Sequence, residues 1–188
     1  MRISVGDVRL YLEVFGQEWA FADDRIERRP VLIGLHGGPG LDGSKLRYQL
    51  APLAEQAQVV VPDQRGCGRS DYGTPETWNL ATWATDVKQL SDALSIEHPV
   101  VLGVSFGGFV AQLYAATRDR LRAVRCPTLV ILGEHDPLVP ARLGEEIVEA
   151  IPDGLAQLEL IPGAAHDVLV DNPPQCYRLV REFLADIA

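Results

Sequence analysis

Cysteine is scarce in this chain of 188 residues, and its spacing suits neither cross-links nor metal. Cys67, Cys126 and Cys176 are odd in number, far apart, and form no CxxC or Cys/His pair at ligand spacing. The pattern argues against a disulfide framework and reads as reduced thiols in a cytoplasmic protein. Clustered Lys and Arg are also missing, and the formal net charge is -9. A partner bound by neutralising phosphates or an anionic lipid leaflet is therefore not expected, which sets aside nucleic acid and membrane surfaces. No basic stretch followed by an apolar run signals export or a membrane span. Internal repeats and low-complexity tracts are absent too.

What is present is a chain that is 47% hydrophobic, enough to bury a core and short enough that one domain, 1-188, is the expectation. The first residues, MRISVGDVRLYLEVFG, alternate apolar and polar like a hairpin turning at Gly6-Asp7. A polar connection, QEWAFADDRIERR, follows. Then come five short apolar runs that each end in a loop rich in Gly, Pro, Asp or His: VLIGLH (31-36), VVVPD (59-63), PVVLGVS (99-105), TLVILGEHD (128-136) and LELIPGAAH (158-166). These are the marks of buried strands in one sheet. Helical spacing occupies roughly 44-56, 78-94, 106-117, 141-150 and 174-187. Alternation of the two predicts an α/β fold with a mostly parallel sheet, helices on both faces, and ligands at the carboxyl ends of the strands.

Gly103-Val104-Ser105-Phe106-Gly107 lies between the strand PVVL and the apolar helix FVAQLYAAT. A G-x-S-x-G in that strand-turn-helix context predicts a nucleophilic serine on a strained turn. A dinucleotide fingerprint would need a glycine where Ser105 stands, and HGGPGLDGSK lacks the Gly-Lys-Ser/Thr order of a phosphate loop.

A serine hydroxyl needs an imidazole to take its proton and a carboxylate to hold that imidazole. His98 precedes a proline before a strand, at the wrong end of the sheet. His36 ends the VLIGL strand, where shaping the glycine loop is the expected role, and His135 neighbours a better candidate, Asp136. His166 closes the last apolar strand, at the edge where Ser105 should stand, and is the expected base. Asp136, after TLVILGEH, is preferred as the acid over Asp63, whose DQRG setting suggests an arginine pair or loop brace. Asp71, Asp86, Asp92, Asp153, Asp167 and Asp171 read as solvated or helical.

HGGPG at 36-40, DQRGCGRS at 63-70, GVSFGG at 103-108, GEHD at 133-136 and GAAH at 163-166 occur in an order that resembles an α/β-hydrolase, in the branch holding proline iminopeptidases and related esterases. The resemblance covers nearly the whole chain. It implies Ser105 as nucleophile, Asp136 as acid and His166 as base, with an oxyanion hole from the backbone N-H of Phe106 and one from the glycine loop, at Gly38. It implies no metal or organic cofactor.

Compared with that family, a sheet strand and a helical cap are missing after the nucleophile helix, leaving a seam at about 118-125. Cap acids recognise the free amine in aminopeptidase relatives, so a capless chain is expected to cleave small carboxylic esters through an acyl-enzyme. Peptidase, lactonase and C-C hydrolase activities share the same triad. Two alternatives stand beside the esterase: a shortened scaffold, natural or engineered, that folds or dimerises without efficient turnover, and an aminopeptidase of the proline iminopeptidase type. Apolar surface left bare by the cap favours a homodimer, with exchange of the C-terminal half as one route.

Overall fold

In Val31-Leu35 every residue is buried, as a strand covered on both faces requires. The computed structural model describes residues 1-22, 24-115, 124-152 and 154-187, and the chain forms two compact units, Met1-Tyr114 and Ala115-Ala188. The seam expected at 118-125 falls largely on 116-123, outside the described residues.

The first unit is built on a five-stranded mixed sheet that holds three of the five apolar runs expected in one sheet, the runs 128-136 and 158-166 pairing among the described residues in a separate sheet. β1 (Arg2-Val5) and β2 (Val8-Phe15) form the hairpin expected at Gly6-Asp7, with Gly6 at φ +56°. β2 runs antiparallel to β6 (Gln58-Pro62), β6 parallel to β5 (Val31-Leu35), and β5 parallel to β7 (Val100-Gly103), giving the order β1-β2-β6-β5-β7. The segment read as a polar connection instead makes a second hairpin, β3 (Trp19-Ala22) with β4 (Arg25-Arg28). Its charged residues obscured a period of two that sets Phe21 opposite Ile26.

Alternate residues of β5 serve opposite faces of the sheet. Val31, Ile33 and Leu35 join a cluster with Trp83, Val87 and Leu90 of α2 (Leu80-Ala93) and Val110 of α3 (Phe106-Ala115). On the other face, a Cβ added to Gly34 would lie 2.6 Å from Leu50 of α1 (Ser44-Leu50), so the glycine sets how closely that helix packs. α2 begins where the Asn79 side chain accepts the Thr82 N-H at 3.0 Å.

In the second unit β8 (Thr128-Gly133) pairs in parallel with β9 (Ala156-Ile161). α4 (Ala141-Ala150) rests on one face through Gly144, where a Cβ would meet Leu132 and Leu158 at 2.7 and 2.8 Å. Leu129 and Ile131 turn to the other face and pack with Ile161, Ala164, Val168 and Leu179. The last two residues belong to α5 (Val168-Asp171) and α6 (Pro173-Asp186). α2, α4 and α6 follow the spacing read from the sequence, and α3 does so as far as the described residues reach, whereas the helix expected over 44-56 ends at Leu50 and passes into a 3-10 turn at Ala51-Leu53, and the short α5 was not expected.

Candidate active site

β7 ends at Gly103 and α3 starts at Phe106, so Val104 and Ser105 alone make the turn. Ser105 is exposed and has φ +52°, a left-handed conformation that costs a non-glycine residue about 1-3 kcal/mol. The neighbouring glycines are demanded by contact. A Cβ on Gly103 would stand 2.2 Å from the Gly107 carbonyl oxygen, and one on Gly107 would stand 2.2 Å from that of Leu35. Phe106 supplies the first amide of α3, which has no partner one turn earlier within the helix. Its ring meets Trp83 edge-on, with centroids 5.1 Å apart, and the Trp83 indole donates to the Arg65 carbonyl at 3.0 Å.

The glycine loop after β5 approaches this turn. A Cβ on Gly37 would lie 3.1 Å from Ser105 Cβ, while Gly38 and Gly40 have φ of +65° and +87°. His36 is buried beneath the loop. Its Nδ1 stands 3.0 Å from the Gly37 carbonyl oxygen, and its Nε2 accepts the Gln64 N-H at 3.1 Å. Those partners select a neutral, Nδ1-protonated ring. Burial lowers the ring's pKa, against the Gly37 carbonyl, which raises it. The Gly40 N-H donates to Cys67 Sγ at 3.3 Å, a loop contact for which the sequence carries no signal.

Asp63 is the arginine-paired brace that its DQRG setting suggested. One oxygen accepts from Arg47 and from the Gly43 N-H, and the other accepts the Arg69 N-H at 2.9 Å. Burial pushes this carboxyl up, but the Arg69 and Gly43 amides and the Arg47 guanidinium prevail and hold it below its ordinary value. Asp86, read as solvated or helical, is helical but buried, in a two-point pair with Arg65 at 2.8 Å for each bond. Aspartate on a helix is usually solvated, and only the packing of Arg65 against α2 draws this one inward. Asp153 lies outside the described residues.

Asp136 and His166 meet within the second unit. His166 Nδ1 donates to Asp136 Oδ2 at 2.8 Å, while Oδ1 accepts the Leu138 and Val139 amides at 2.8 and 3.0 Å. Burial alone would raise the Asp136 carboxyl, yet the Val139 amide, the His166 ring and the Leu138 amide together hold it below its ordinary value. An ionised carboxylate on Nδ1 leaves Nε2 as the nitrogen that can take a proton, the arrangement a general base needs. The two loops meet because Gly133 has no side chain: a Cβ there would lie 2.0 Å from the Ala165 carbonyl oxygen. His98 and His135 are exposed. Ser105, Gly38 and Phe106 belong to the first unit, and Asp136 and His166 to the second. Among the described residues no group of three His, Cys, Asp or Glu side chains could hold a metal ion, and no helix is long and apolar enough to cross a membrane.

Comparison with known proteins places these parts in a family. The profile described as alpha/beta hydrolase fold matches residues 30-126, and one described as serine aminopeptidase, S33, matches 115-173. A proline iminopeptidase of Levilactobacillus brevis is 36% identical over 94 residues, which is 49% of this chain and 31% of that protein. One of Heyndrickxia coagulans is 33% identical over 111 residues, 57% of this chain and 38% of that protein. The chain thus spans about a third of the length of the curated relatives it matches. A crystal structure of a proline iminopeptidase from Mycobacterium smegmatis is similar at a TM-score of 0.85 and 19% identity, over 99% of this chain and 97% of that one. With the two-faced α/β architecture and the serine turn described above, the match over residues 30-126 settles the family: the chain belongs to the alpha/beta hydrolase fold family.

Proposed function

We propose that this chain is a serine hydrolase that cleaves small carboxylic esters through an acyl-enzyme, within one α/β-hydrolase-like domain without a cap and joined at about 118-125. The observation that carries the reading is the Asp136-His166 pair at 2.8 Å, with its carboxylate fully engaged and its ring oriented. The strained conformation of Ser105 supports it from the other side of the sequence. Ser105 attacks the carbonyl carbon and His166 Nε2 takes the hydroxyl proton. The Phe106 and Gly38 N-H groups receive the charge that develops on the carbonyl oxygen. His166 then returns the proton to the leaving alcohol, and water, activated by the same ring, releases the acid and restores Ser105. The substrate is a small molecule, no cofactor takes part, and the reduced thiols suit a cytoplasmic setting.

Incubation with a fluorophosphonate and a short-chain p-nitrophenyl ester tests this. Labelling and turnover are expected in the parent and lost in Ser105→Ala. Labelling that persists in the variant overturns the assignment, and a folded parent that neither labels nor turns over points instead to an inactive scaffold. A second reading, an aminopeptidase, is favoured by the similarity to proline iminopeptidases. Faster cleavage of proline p-nitroanilide than of the ester would select it.

A further inference from the structure

His166 sits in the loop between β9 and α5, and this loop is held by more than its bond to Asp136. The Gly163 N-H donates to Glu134 Oε2 at 3.1 Å, and the Ala164 carbonyl accepts the His135 N-H at 2.9 Å. The Ala165 N-H donates to Asp171 Oδ2 at 2.8 Å. Consecutive peptides leading into His166 are therefore fixed in turn. Ala165 is held on both sides, since its carbonyl lies over Gly133 and its amide ends on Asp171. Asp171 itself closes α5, and its own N-H donates back to the Asp167 carbonyl at 2.9 Å. A ring of backbone and side-chain bonds thus encircles His166 from 165 to 171.

We propose that Asp171 is a positioning residue for His166, holding the Ala165 amide so that the imidazole stays aligned on Asp136. Asp171 is exposed, so its side chain contributes little to the core, and its carboxylate reaches back six residues to a single amide. The competing role is electrostatic: Asp171 directly precedes Asn172, the N-cap of α6, where an anion favours a helix start. Asparagine separates the two, because its carbonyl oxygen can accept the Ala165 N-H while its charge is zero.

The importance of this alignment for catalysis rests on the serine hydrolase reading, whereas the alignment itself is measurable without turnover. The experiment compares the parent, Asp171→Asn and Asp171→Ala by long-range 1H-15N spectra of the His166 ring and by the rate of fluorophosphonate labelling. The parent and Asp171→Asn should show the Nδ1-protonated pattern. In Asp171→Ala the ring shifts should average toward those of a free imidazole, and labelling should slow roughly 10- to 100-fold, the scale expected when a reacting group is misplaced. Should the alanine variant fail to fold, Asp171→Ser, whose hydroxyl is too short for the same reach, takes its place with the same expected result. Unchanged ring shifts and labelling without the carboxylate overturn the proposal, as does an asparagine variant that behaves like alanine. Ring shifts that respond as expected in a parent that never labels uphold the positioning role and reject the hydrolase reading.

Discussion

A neutral imidazole buried beneath a glycine loop makes the folded state sensitive to acid. His36 binds a proton more weakly in the fold than in the unfolded chain, because burial disfavours its charged form. Below its ordinary value of 6.5 the unfolded state takes up the proton first, so its contribution to stability falls as pH drops from there toward the lower folded value. Urea unfolding across that window should show stability declining with falling pH, with a smaller slope in His36→Asn. Equal slopes would mean that other groups carry the acid sensitivity. Asp63 and Asp136 act lower on the scale. Their carboxyls are held below the ordinary 3.8, so the stability they contribute is present above that value and is lost as pH falls through their folded values.

Among the elements, the junction of β5, the serine turn and α3 has the least room. The Gly107 backbone lies so near the Leu35 carbonyl that a methyl group would overlap it at 2.2 Å, and neither partner is a flexible side chain. Gly107→Ala should lower stability by about 1-3 kcal/mol, the usual cost of overpacking, and should reduce Ser105 labelling, since α3 must shift to relieve the clash. A urea midpoint equal to the parent's would show that the junction yields more easily than the contact implies. Elements differ in how plainly the sequence announces them. α4 occupies the expected 141-150, and β5 to β9 follow their apolar runs. The β3-β4 hairpin escaped because its strands are four residues each and lie among charged residues at Glu18, Asp23, Asp24, Arg25 and Glu27-Arg29, leaving too short a period to detect.

For the whole molecule, the expected loss of a cap predicts self-association. Large apolar side chains stand exposed in each unit, among them Leu41 beside the glycine loop, Phe109 on α3 and Leu138 after Asp136. Light scattering at micromolar concentration should return the mass of two 20.6 kDa chains, and a monomeric mass would count against the homodimer. The sequence by itself determined the α/β alternation, because buried strands require apolar runs, and it set Ser105, Asp136 and His166 in the chain order that the proposed acyl transfer would use. Sequence context pointed Asp63 to an arginine and Asp136 to a histidine, and only the tertiary structure decided which atoms hold each carboxylate. Asp63 and Asp136 both follow an apolar strand, yet one is locked to Arg47 and the other to His166, 30 residues away. Asp86 and Asp171 look alike as helical aspartates, but one is buried against Arg65 and the other reaches a loop amide. A linear pattern carries residue type and local period, whereas these bonds depend on distances between atoms remote in the chain, which packing alone sets.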